Sequence, residues 1–115
     1  MNEAEFFVRL DNGSFAGVMT IKEARREVLF AKQDEQKLPL HPTHLGYSDN
    51  QQIGCLWPRR KRSGTVSFYM MIDDPSLDKP FMAILRRNAT YKGKDDRFII
   101  DTHHGLGFSG RYAAR

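Results

Sequence analysis

The sequence predicts an all-β protein, a small antiparallel barrel or sandwich of about seven short strands. Three observations carry this expectation. Short runs rich in β-branched and aromatic residues recur along the chain. Clusters of Gly, Pro, Asn and Asp separate them at intervals of roughly eight to twelve residues. At 115 residues the chain is long enough for one core and too short for two.

Glu5 to Leu10 is a short apolar-aromatic strand. It runs into Asp11-Asn12-Gly13, a hairpin signal, because Asn and Gly tolerate the positive φ of a tight turn. Phe15 to Ile21 returns as the second strand, and Gly17 inside it suggests a bulge or a close backbone approach. Lys22 to Gln36 is ambiguous. Ala24, Val28 and Ala31 keep a helical spacing, yet Val28-Leu29-Phe30 reads as a buried strand, which favours a strand over Arg26 to Ala31. Leu38 to Asn50 holds Pro39, Pro42 and Gly46, and reads as loop with a short extended piece near His44 to Tyr47.

Gln52 to Trp57 is a strand that Pro58 should end or mark as an edge, since Pro has no N–H for a ladder. Thr65 to Ile72 is the clearest strand. Asp73-Asp74-Pro75-Ser76 is a turn, where Asp accepts backbone N–H bonds and Pro presets φ. Phe81 to Leu85 is a further strand, Lys92 to Asp96 a turn, and Phe98 to Asp101 the last strand. The single domain is therefore placed at residues 1–101. Residues 102–115, with Gly105, Gly107, Gly110, Arg111 and Arg115, read as a flexible Gly/Arg-containing tail.

The net charge of +4 and a pI near 9.4 favour polyanionic partners. One cysteine, Cys55, excludes an internal disulfide framework. The polar, acidic start and the lack of an apolar run near the roughly 20 residues of a membrane span point to a cytoplasmic protein without a membrane partner.

The candidate site is a basic turn beside aromatic strands. Arg59, Arg60, Lys61 and Arg62 follow Trp57 and Pro58, with no acid between Cys55 and Ile72. Cations on phosphates release counterions, and Arg also forks onto phosphate and stacks on bases. Trp57, Phe68, Tyr69 and Tyr91 could stack bases, although Phe68 and Tyr69 must face opposite sides of one strand. The plainer reading of Trp57 is a core anchor, and that of the turn a solvated hairpin. Arg86, Arg87, Lys92 and Lys94 supply supporting charge.

Other constellations are weaker. Asp73-Asp74 is better read as a turn than as a metal or acid–base pair. His41, His44, His103, His104 and Cys55 lack the tight pairing of zinc sites, and Cys55 reads as a small core residue. Gly105-Leu106-Gly107 lacks the Gly-Lys-Ser/Thr ending of a phosphate loop. No enzyme activity, catalytic residue, cofactor or metal is expected.

Ile53-Gly54, Trp57, Gly64, Tyr69, Ile72-Asp73-Asp74-Pro75-Ser76-Leu77, Pro80 and Ala83-Ile84-Leu85 together resemble a family of small proteins encoded on conjugative plasmids and integrative elements. It is known as domain-of-unknown-function family seven-three-six. Phe15-Ala16-Gly17 resembles its early Phe-x-Gly segment. Pro58-Arg59-Arg60 departs from the family's Lys-Lys start to the basic turn, and the tail after Ile100 is longer. The resemblance implies a mobile-element protein and supplies no mechanism. The expected partner is a nucleic acid, DNA ahead of RNA. The alternative is an acidic protein surface, as for an inhibitor of a host defence complex or a subunit of a DNA-transfer complex.

Overall fold

The computed structural model describes residues 5–34, 41–60, 66–88, 93 and 96–102. These hold eight strands: β1 (Phe6–Arg9), β2 (Phe15–Ile21), β3 (Ala24–Lys32), β4 (His44–Ser48), β5 (Gln51–Arg60), β6 (Val66–Ile72), β7 (Phe81–Arg87) and β8 (Arg97–Asp101). Each pairs antiparallel with the next, and β8 closes back onto β1 through Phe6↔Ile99, Phe7↔Phe98 and Val8↔Arg97. The all-β barrel expected from the sequence is thus present, with the extended piece near His44 forming a full strand. No helix among the described residues is long and apolar enough to cross a membrane.

Strand alternation sends one set of side chains inward. Phe7, Phe15, Phe30, Phe68 and Phe98 meet there, packed among Met19, Val28, Leu56, Met70, Ile72 and Leu85. Phe15 sits edge-on to Phe98 at 4.8 Å and to Phe68 at 5.3 Å. An eight-stranded barrel is just wide enough for side chains to fill, and these rings fill it.

The meander sends alternate connections to opposite ends. β1–β2, β3–β4, β5–β6 and β7–β8 join at the first end; β2–β3, β4–β5 and β6–β7 join at the second. At the first end, the β1–β2 turn forms as its Asp-Asn-Gly motif requires. Gly13 takes φ +88°, and the Asn12 side-chain oxygen accepts from the Ser14 N–H at 2.9 Å. At the second end, the Arg26 guanidinium donates to the buried Asp74 at 2.8 Å, tying β3 to the β6–β7 connection. Leu77 and Phe81 from that region pack on the core.

Several expectations change. β3 begins at Ala24, because Lys22 and Glu23 form a two-residue hairpin with φ of 47° and 70°. Gly17 marks a close approach, not a bulge. A Cβ there would collide with the Phe6 carbonyl and the Phe7 ring, while the register shift lies at Gly46/Tyr47. Pro58 does not end β5, which runs on to Arg60 with Pro58 opposite Phe68. The β4 partner stops at His44↔Leu56, and the Leu56 carbonyl still accepts from Thr43 on that side. Backbone groups two residues apart face the same edge, so the missing N–H of Pro58 points past the end of β4 and breaks no pairing.

Candidate nucleic-acid interface

β5 and β6 build the candidate surface. Their register pairs Trp57 with Tyr69 and Arg59 with Ser67. Alternation buries Leu56 and Phe68 inside the barrel and leaves Trp57, Arg59 and Tyr69 partly exposed on the outer wall. Trp57 is therefore a wall residue and not an anchor of the interior. Arg59 lies over the Tyr69 ring, 5.8 Å from its centroid, and its Nη1 donates to the Ser67 hydroxyl at 3.4 Å. Among the described residues Arg59 makes no ion pair. A partly desolvated guanidinium over a ring, with a second aromatic beside it, offers a flat cationic face.

The supporting arginines sit differently. Arg86 follows Ser67 on the same wall, opposite it in register, and donates to Asp101 at 2.9 Å. Arg87 and Arg9 share the Asp96 carboxylate at 3.2 and 2.6 Å. The hydrogen bond from Arg9, with the charges of Arg9 and Arg87, holds Asp96 below the usual carboxylate range. Their positive charge is thus partly countered in place. Arg60 closes β5. Lys61, Arg62, Tyr91, Lys92, Lys94 and the tail 103–115 lie outside the described residues.

The weaker constellations resolve by face. His44 points into the barrel and Cys55 lies buried beneath the outer wall, so the two cannot share a ligand. Burial pushes the Cys55 thiol up to about 11. Asp74 is held by Ser76 and Arg26; the Ser76 hydroxyl is the main cause of its lowered pKa. Asp73 beside it is exposed. No group of three or more His, Cys, Asp or Glu residues fit to hold a metal occurs among the described residues.

A family model described as protein of unknown function (DUF736) matches residues 5–99. The chain belongs to this family. No curated protein and no solved structure matches the chain. The matched span of the DUF736 chain takes in β1 to β7, most of β8 and the whole β5–β6 surface.

The described charges of the DUF736 barrel are also unevenly shared between its ends. Among the described residues at the first end, Arg9, Lys32, Arg59, Arg60, Arg87 and Arg97 outnumber Asp11, Asp34 and Asp96. At the second, Glu5, Glu23, Glu27, Asp49, Asp73, Asp74 and Asp78 outnumber Lys22, Arg25, Arg26 and Lys79. Arg86 and Asp101 cancel on the wall between. Reading the chain linearly missed this, because acids and bases alternate in sequence and only the meander sorts them by end.

Two further features escaped the sequence. His44 is buried at the first end. Its Nε2–H donates to the Gly13 carbonyl at 2.8 Å, and its Nδ1 accepts from the Thr43 hydroxyl at 2.8 Å. An open groove lies over β2, β3 and β4. His44 stood in a run of His and Pro with no strand pattern to orient it, and the groove residues come from separate strands.

Proposed function

We propose that this DUF736 chain is a cytoplasmic, non-enzymatic accessory protein of a mobile genetic element that binds nucleic acid, DNA before RNA. The contact face is the outer wall of β5 and β6 at the cationic end. The observation that carries this reading is Arg59 seated over Tyr69 and beside Trp57, without a carboxylate among its described neighbours. Arg59, with Arg60, Lys61 and Arg62 following in sequence, would meet phosphate while the rings take a base face. Arg86 and Arg87 contribute less, since each already has a carboxylate partner.

Trp57 is the chain's one tryptophan, so its emission reports on this face directly. Titration with single-stranded and duplex DNA should quench it, with affinity falling steeply as salt rises. Arg59→Ala should weaken binding and reduce the salt slope by about one. Unchanged emission together with salt-independent or absent binding would reject the reading.

A second reading is an interaction module that meets an acidic protein surface, as a host-defence inhibitor or a transfer-complex subunit. The specific support is the apolar side chains left half-buried beside the arginine: Met71 and Met82 share the outer face with Trp57. Partners retained from host lysate after nuclease digestion, with no DNA-induced quenching, would favour it.

A further inference from the structure

The groove over β2, β3 and β4 has a volume of about 530 Å³. Ala16, Leu29 and Tyr47 stand in one row across the three strands and form its floor. The small Ala16 makes the depression, and Leu29 is left 40% exposed. Glu27, opposite Val18 in the next row, and Asp49 of the β4–β5 hairpin rim it on the side of the acidic end. Neither carboxylate forms an ion pair with a described residue.

An apolar floor below two uncompensated carboxylates suits side chains with aliphatic stems and cationic heads. The molecule carries cations of that kind where β5 finishes at its opposite end, Arg59 and Arg60, with Lys61 and Arg62 next in sequence. Two copies aligned basic end to acidic end match in charge, whereas a two-fold arrangement through either end opposes like charges.

We infer that the groove is a docking surface for a second copy of this chain, which inserts its Arg59–Arg62 segment between Glu27 and Asp49. The contact is heterologous: each copy offers one cationic end and one acidic groove, so association runs head to tail and grows with concentration. Nucleic acid and the groove compete for one arginine-rich segment, so a bound polyanion disperses the assembly. The contact draws on the cationic end invoked for nucleic acid, yet it stands on the groove and needs no stacking face.

Sedimentation velocity on the full chain tests it. At about 10 mM salt, where the screening length is near 30 Å, the average mass should rise with protein concentration. At about 1 M salt, where that length is near 3 Å, only monomer should sediment. Glu27→Lys with Asp49→Lys should be monomeric at low salt while DNA binding persists, which separates failure here from failure of the nucleic-acid reading. A chain carrying Arg60→Glu and Arg62→Glu should also be monomeric alone. Mixing the two variants should restore association, which guards against loss through misfolding. Monomer at every salt, a salt-resistant dimer, or a mixture that stays monomeric would overturn the inference.

Discussion

His44 shows how one side chain can couple the barrel to pH. Its ring spans the Gly13 carbonyl and the Thr43 hydroxyl; the neutral imidazole donates to the first through Nε2–H and accepts from the second at Nδ1, whereas protonation forces the hydroxyl to turn and accept. Burial, reinforced by Lys32 and opposed by the Gly13 hydrogen bond, holds its pKa below the ordinary 6.5. The unfolded chain therefore binds more protons below that pH, so stability is full above about 6.5 and declines as pH falls toward the folded-state value. Thermal melts should lose temperature as pH falls below about 6.5, and His44→Gln should flatten that dependence. Gly17 is a steric counterpart. A methyl there meets the Phe6 backbone, which cannot swing aside as a side-chain tip could. Gly17→Ala should cost about 1–3 kcal/mol in chemical denaturation.

At the scale of the element, the hairpins divide by how openly their residues announce them. Asp11-Asn12-Gly13 was legible because Gly carries the positive φ and Asn caps the turn. Lys22-Glu23 was not. Both residues adopt the left-handed region without the chemistry that favours it, and the strong β2–β3 ladder imposes the turn on them. Glu23→Gly should relieve that strain and raise stability by about 0.5–1 kcal/mol, read as a higher denaturation midpoint. Pro58 failed as a stop signal for a related reason. Whether a missing N–H matters depends on where the neighbouring strand ends, and the sequence around Pro58 does not carry that information.

Over the whole molecule, fold class was legible and the sorting of charge was not. Alternating apolar residues in β2, β6 and β8 already separate an inner from an outer face. The opposition of Phe68 and Tyr69 followed from that alone. The partnering of Arg86 with Asp101 and of Arg87 with Asp96 depended on which strands became neighbours. Those pairings shift the candidate site toward Arg59, and the polarity of the two ends links the Trp57 titration to the sedimentation experiment. If both proposals hold, rising DNA should quench Trp57 and lower the average mass in parallel.

Closure has a consequence for recognition. β1 and β8 hold each other's ladder groups, so neither offers the bare rim on which many modules zip a peptide as an additional strand. A partner of this barrel must read projecting side chains and connecting turns. Substitutions there can retune its choice of ligand while the hydrogen-bonded cylinder beneath keeps its shape.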